Sequence, residues 1–236
     1  MFVAVKNLIA EALYPSFCYE CGGSGSYLCE NCFNKIGLLP HPICPHCGIA
    51  APNGELAKNC RGALGLIRYF GAADYKNDAV QRLIHDMKYK RAYALTRPLA
   101  KLTYFWLANS GYAELFQTKN IALTAVPMHS HRERNRGFNQ AELIAEHLSE
   151  FLGVPYKKGV LRKIKNTPSQ VDVATKEKRL ENLQGAYAVK NIEPIRDRTM
   201  VLIDDVATTG ATLAECARVL RRAGIHEVWG LTVAVD

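Results

Sequence analysis

Residues 200–212, MVLIDDVATTGAT, restrict the fold more than any other stretch of this chain. Thr199 to Ile203 form a short apolar-rich run bounded by charge, the pattern of a strand buried on both faces. Two carboxylates follow, Asp204 and Asp205, and then Val206, Ala207, Thr208, Thr209, Gly210, Ala211 and Thr212. Beyond them Leu213, Cys216, Ala217 and Leu220 recur at helical spacing, and Gly224 closes the helix. In open α/β sheets, ligands sit at the carboxyl ends of strands. A small-residue turn that opens a helix presents backbone N–H groups and the positive end of the helix dipole, which suits a phosphate dianion. Thr208, Thr209 and Thr212 add hydroxyl donors. Asp204 and Asp205 are suited to accept hydrogen bonds from the vicinal hydroxyls of a ribose and to balance a divalent cation. The segment is not a Walker loop, because no G-x-x-x-x-G-K-[ST] is present.

The flanking sequence predicts the rest of an α/β domain. IALTAV at 121–126 reads as a buried strand stopped by Pro127, and EVWGLTVAV at 227–235 as another. DAVQRLIHDMKYK at 78–90 places Val80, Leu83, Ile84 and Met87 on one helical face. Residues 98–107 read as a helix with Pro98 in its first turn. NQAELIAEHLSEFL at 139–152 reads as a helix with Asn139 as N-cap and Leu143, Ile144, His147, Leu148 and Leu152 along one side. Strand and helix in alternation imply a parallel sheet flanked by helices. Cys216 is expected to be a small buried apolar residue.

Seven of the eight cysteines lie within residues 18–60. They form three C-x-x-C pairs, Cys18/Cys21, Cys29/Cys32 and Cys44/Cys47, with Cys60 alone. Each pair makes a knuckle with two thiolates on one side, and two knuckles complete a tetrahedral four-sulfur shell suited to zinc. Seven ligands fill one such site; a second would have Cys44, Cys47 and Cys60 plus His41, His46 or water. His46 lies inside its own knuckle, a poor position for a fourth ligand. The spacing does not say whether the pairs combine sequentially or crosswise. No general base stands beside the cysteines, so the zinc is expected to be structural.

Three lysines and four glutamates up to residue 60 give that part a net charge of −1, so with +8 for the chain the remainder carries +9. A basic domain favours anionic partners such as phosphates or nucleic acid. No apolar run reaches the length of about 18 residues that spans a membrane. The start, MFVAVKNLIAEALYPSFC, lacks the features of a signal peptide and is expected to form an amphipathic helix packed on its own protein rather than on a membrane surface. Clustered cysteines without an export signal point to a reducing setting, the cytoplasm. The expected organisation is an N-terminal helix (1–17), a cysteine-rich zinc module (18–60) and an α/β domain (61–236).

The segment at 200–212 is similar to the phosphoribosyl-diphosphate (PRPP) motif of type I phosphoribosyltransferases. Together with RGFNQ at 136–140 after the basic stretch HSHRER, NTPSQVDVATKEKRLENLQGAY at 166–187 between two strands, and the cysteine module, nearly the whole chain resembles the ComF/ComFC family of competence-associated proteins. Members of that family often carry a fourth C-x-x-C; here Ala57 stands three residues before Cys60, which puts a second zinc site in doubt.

The resemblance implies a type I phosphoribosyltransferase-like sheet with a small zinc-ribbon-like module. It implies that PRPP, with Mg2+, binds through Asp204, Asp205, Ala207, Thr208, Thr209, Gly210, Ala211 and Thr212. The turn Val126, Pro127, Met128, His129 and Ser130, followed by Arg132, Arg134 and Arg136, would hold pyrophosphate. Arginines among polar residues suit phosphate on their own chemistry as well. The polar stretch 165–181 corresponds to a catalytic lid with Lys176, Lys178 and Arg179, and Arg179 with Asn182 fits the family's R-x-x-N. As a transferase the chain would pass through an oxocarbenium-like state, with Asp204, Asp205 and Arg179 as catalytic residues. No base for an acceptor and no nucleobase pocket stands out.

Three functions follow from these residues. One is a ComF-type protein of DNA uptake in natural transformation. It would contact single-stranded DNA at the cytoplasmic side, at the inner face of the membrane, alongside a DNA-uptake ATPase or other competence proteins. Tyr69, Phe70, Tyr75 and Phe138 are candidates to stack on bases, although a core position is the commoner fate of such residues. The others are a phosphoribosyltransferase of nucleotide salvage or synthesis and a non-catalytic PRPP sensor. The first is favoured, and whether turnover accompanies it is left open.

Overall fold

The structure is a computed structural model that describes residues 16–90, 92–118, 120–167 and 182–236. Lys176, Lys178 and Arg179 lie outside the described residues, as does nearly all of the expected N-terminal helix. Phe17, at the end of that stretch, pairs with Ser24 in a β-bridge instead.

The elements run α1 (Glu30–Lys35), α2 (Lys58–Leu64), β1 (Arg68–Asp74), α3 (Asp78–Tyr89), α4 (Thr96–Asn109), α5 (Ala113–Thr118), β2 (Ile121–Ala125), α6 (Ser130–Arg136), α7 (Gln140–Leu152), β3 (Leu161–Lys163), β4 (Tyr187–Val189), β5 (Thr199–Ala207), α8 (Ala211–Arg222) and β6 (Val228–Val235). Four strands form a parallel sheet in the order β1-β6-β5-β2, and β3 and β4 form a separate antiparallel pair. The central strands β5 and β6 pair Val201 with Trp229 and Ile203 with Leu231. All eight residues of β6 are buried, as a strand covered on both faces requires.

The period of two along β5 divides the interior into two cores. Val201 and Ile203 face one layer, where Leu99, Leu102 and Trp106 of α4 and Ile144 and Leu148 of α7 pack. Met200 and Leu202 face the other, with Leu213, Cys216 and Leu220 of α8 and Leu64 of α2. The cysteine module contributes to both: Cys18 and Cys32 join the first core, Cys44 and Cys60 the second. The module also covers the free edge of β1. The Leu39 N–H donates to the Ala72 carbonyl at 2.9 Å, Leu38 bridges Ala73 and Glu55 bridges Arg68. The Trp106 indole N–H donates to the Leu39 carbonyl at 2.6 Å and fixes that segment from below. An edge strand covered in this way has no row of open backbone groups to template aggregation.

Four features differ from the sequence reading or were absent from it. β5 runs to Ala207, so Asp204 and Asp205 lie within the strand and not beyond it. β1 was not expected, because Gly71, Ala72 and Ala73 carry little strand propensity. The basic stretch after Ser130 is a helix, capped by the His129 side chain and ended by Gly137 in the left-handed region. Tyr69 and Phe70 are fully buried and cannot stack on bases: the Tyr69 hydroxyl pairs with Thr232 Oγ1 at 2.5 Å inside the sheet, and Phe70 packs on Trp229 and Phe116.

Candidate functional site

A cleft of about 230 Å3 opens at the carboxyl ends of the sheet strands. Its floor is the end of β5 and the turn into α8. Gly210 caps α8 with φ 72°, a conformation that favours glycine. A Cβ at Gly210 would lie 2.7 Å from Leu64 Cδ2 and 3.4 Å from Pro45 Cγ, so the absence of a side chain is required twice over. Leu64 belongs to α2 and Pro45 to the third cysteine knuckle, and both therefore press on the back of the turn. On its open side the turn lines the cleft from Asp204 to Leu213.

The opposite wall comes from β2 and its sequel. Pro127, Met128, Arg132 and Arg136 line the cleft, with Asn139 and Gln140. Arg132 and Arg136 are four residues apart on α6 and share a face. Arg132 donates to the Thr167 carbonyl, and Arg136 donates to Gln140 Oε1 at 2.7 Å while its guanidinium lies 5.7 Å over the Tyr89 ring. Three members of the predicted set fall elsewhere. Ser130 opens α6 and does not line the cleft. His129 does not line the cleft; its Nδ1 accepts from the His131 N–H as the α6 cap. Arg134 lies off the shared face and is exposed. Tyr75 lines the cleft, whereas Phe138 packs edge-on against Tyr93. Asn182 is exposed, and its partner in the R-x-x-N pattern is not among the described residues.

The structure also brings in Lys88, Lys163 and Tyr187, none of which the sequence singled out. Lys88, in the last turn of α3, places its ammonium 2.9 Å from Asp205 Oδ1. Burial alone would lower the Lys88 pKa, but the Asp205 carboxylate outweighs it and raises it. The other Asp205 oxygen, Oδ2, is buried with no hydrogen-bond partner among the described residues. A buried carboxylate oxygen without a donor is costly, and a ribose hydroxyl or a divalent cation would satisfy it. Asp204 is half-buried beside it, and its Oδ1 accepts from the Asp205 N–H at 2.9 Å. Burial and then the Asp205 charge push Asp204 up to about 7, against the opposing pull of Lys88 and Lys163. Lys163, on β3, lies 5.2 Å over the Tyr187 ring of β4. Burial and then Arg132 lower the Lys163 pKa.

The cysteines form two clusters. The sulfurs of Cys18, Cys21, Cys29 and Cys32 lie within 4.8 Å of one another, and so do those of Cys44, Cys47 and Cys60. The knuckles therefore combine sequentially. Cys21 and Cys29 are 3.7 Å apart and Cys47 and Cys60 3.5 Å. These separations are far beyond the ~2.05 Å of a disulfide and match the ~3.8 Å edge of a tetrahedron with 2.3 Å zinc–sulfur bonds. Burial raises the Cys18 thiol, but N–H donors from Cys29, Cys21 and Glu20 outweigh it and bring it down to about 6. Burial and neighbouring thiols push Cys32 and Cys60 up to about 12. Crowded thiols that resist ionising together are stabilised by a shared cation, and these donor sets fit zinc. Neither His41 nor His46 completes the second cluster, and no other histidine, cysteine or carboxylate among the described residues does so.

Residues 9–61 match the double zinc ribbon domain and residues 135–235 the phosphoribosyl transferase domain. The chain is 30% identical over 232 residues to Competence protein F of Haemophilus influenzae, covering 92% of this chain and 96% of that protein. The chain belongs to the ComF family. Other ComF relatives include DNA utilization protein YhgH of Escherichia coli K12, 29% identical over 229 residues (92% of this chain, 96% of that protein). Competence protein ComFC of Bacillus subtilis is 28% identical over 206 residues, 84% of this chain and 79% of that protein. The phosphoribosyl transferase match spans Arg136, Lys163 and the β5–α8 turn, with Arg132 just before it; behind the turn, Pro45 lies within the double zinc ribbon match and Leu64 just after it. The two cysteine clusters and the double zinc ribbon match together support structural zinc. No helix among the described residues is long and apolar enough to cross a membrane.

Proposed function

We propose that this ComF-family chain binds PRPP with Mg2+ in the cleft between the β5–α8 turn and α6, and that it contacts single-stranded DNA in DNA uptake. The observation that carries the first part is the pairing of Asp204 and Asp205, one of them with an unpartnered buried oxygen, with an N-terminal helix turn on one side and Arg132 and Arg136 on the other. The turn takes the 5′-phosphate. The carboxylates take the ribose hydroxyls. The arginines take the diphosphate, where bound Mg2+ would neutralise further charge. The second part rests on the +9 charge of residues 61–236 and on the relatives named for competence and DNA utilization.

Calorimetric titration of the zinc-loaded protein with PRPP and Mg2+ tests the cleft. Replacing both Asp204 and Asp205 with Ala is expected to weaken binding at least a hundredfold, about 2.7 kcal/mol, with an unchanged far-ultraviolet spectrum. Unchanged affinity would remove the ribose assignment. Short single-stranded DNA added to the same titration tests the second part: a shift in PRPP affinity links the two ligands.

A further inference from the structure

A second concavity, about 640 Å3, lies between α2 and α8 and shares no lining residue with the cleft. Its charged lining consists of four arginines, Arg61, Arg218, Arg221 and Arg222, with no carboxylate. The three on α8 follow Ala214 at intervals of four, three and one residues, which is a single stripe along the helix. From Arg218 to Arg222 the charges span about 6 Å of helix axis at 1.5 Å per residue. Arg61 faces it from α2. The floor between them is made of small residues, Gly62, Ala63, Gly65 and Ala214. Gly65 ends α2 with φ 68°, and a Cβ there would sit 3.4 Å from Ala217, so the two helices approach closely and the arginines stand up as walls.

Two of the four charges are engaged. Arg218 pairs with Glu215, and Arg61 donates to the Leu56 carbonyl at 2.6 Å with Glu55 at 3.9 Å. Arg221 and Arg222 are exposed and make no ion pair among the described residues. Cations in the last turn also complement the helix dipole. That accounts for charge at 221 and 222 but neither for Arg61 on another helix nor for the concave floor. A protein-binding groove usually offers an apolar or aromatic anchor point; here the only larger apolar lining residue is Ile67, half-buried. Forked guanidinium groups over a floor without bulk suit phosphate oxygens.

We infer that the α2–α8 groove binds the phosphodiester backbone of a single-stranded nucleic acid. The inference rests on the single-strand contact proposed above and places that contact away from the PRPP cleft. Leu213 lines the cleft and Ala214 the groove, so α8 is the wall the two sites share.

The test compares the full zinc-loaded chain with the double variant Arg221→Glu/Arg222→Glu. Fluorescence anisotropy with labelled oligothymidylate is read at several salt concentrations, and PRPP–Mg binding is measured in parallel. The variant is expected to bind the oligonucleotide at least tenfold more weakly, with a salt slope smaller by about 1.4 for two lost phosphate contacts, and to bind PRPP as before. Equal oligonucleotide affinity in both proteins overturns the groove. So does a parallel loss of PRPP binding, which would place the arginines' effect in the cleft. No oligonucleotide binding by the wild type removes the groove and the single-strand contact together but leaves the PRPP reading standing. Poly-glutamate bound as tightly as the oligonucleotide would assign the groove to an acidic polypeptide instead.

Discussion

Cys18, Cys21, Cys29 and Cys32 come from one short stretch of chain, whereas the cleft draws Lys88, Arg132, Lys163 and Asp205 from four separate elements. The cysteine module holds its shape through a few ligands that a metal can tie together within a local loop. The cleft holds its shape because two cores fix the strand and helix ends that carry its residues. The two regions meet at Gly210, where Pro45 of the module and Leu64 of α2, the helix that carries Cys60, support the turn. Metal-held and packing-held precision should therefore fail differently. Damage to the module should spread to the cleft, and damage to the cleft should stay local.

Cys18→Ser is the hardest test of that asymmetry. A structural zinc site contributes roughly 10–16 kcal/mol of apparent binding energy, and Cys18 is buried against the first core. The variant is expected to retain less than one zinc per chain at the first cluster, to expose the edge of β1 that the module covers, and to aggregate. Metal content and light scattering check this. A soluble, metal-poor variant with the wild-type melting temperature would show that the two cores suffice without the metal.

The same contrast explains what could be read from the sequence. The cysteine ligands are local, so their pattern is plain in the residues, and only the sequential pairing needed coordinates. The β5–α8 turn is local as well. Helices α3 and α7 were legible because Val80, Leu83, Ile84 and Met87, and Ile144 and Leu148, recur at the helical period with Asn77 and Asn139 as observed caps. Lys88 was not legible, because its partner Asp205 is brought to it only by the sheet. One signal was present: Lys88 stands four residues after Ile84, beside a buried stripe, where an unpaired lysine is unusual. Strand β1 was missed because its pairing with β6, not its own propensity, makes it a strand. Arg132 and Arg136 were named but not distinguished from Arg134, since only a helix gives the spacing of four its meaning.

A smaller effect comes from the electrostatics of the cleft. Asp204 titrates at about 7, above its ordinary 3.8, so between these values the folded chain binds a proton that the unfolded chain has released. Its contribution to stability is therefore present at low pH and is lost as pH rises toward 7. A ligand that needs the ionised carboxylate gains over the same upper range. PRPP–Mg affinity is expected to rise about tenfold from pH 6 to pH 8, measured as the difference from Asp204→Asn so that the ligand's own titration cancels. Equal pH slopes in the two proteins would return Asp204 to the ordinary carboxylate range and weaken the case that the cleft is tuned by burial.

The smallest expected effect lies where the two regions touch. The first cluster has four sulfurs and the second three, and the residue that breaks the pattern, Ala57, is the exposed N-cap of α2. Cys60, in the first turn of that helix, is three residues on, the spacing of the other knuckles. A zinc ion at the second cluster would complete its shell with water, so it should exchange faster than the ion at the first. Two zinc ions per chain are expected, one of them leaving first when a chelator is added. Ala57→Cys should slow that release toward the rate of the other and raise the melting temperature by about 2–4 °C, the shift that 1 kcal/mol gives in a chain near this size. Because α2 carries Leu64 against Gly210, the variant should also hold the phosphate turn more firmly and bind PRPP slightly better. Indistinguishable release of both ions from the wild type would mean that the second shell is already closed. Faster release with unchanged PRPP affinity in the chelated protein would mean that packing alone, without the metal, sets the turn.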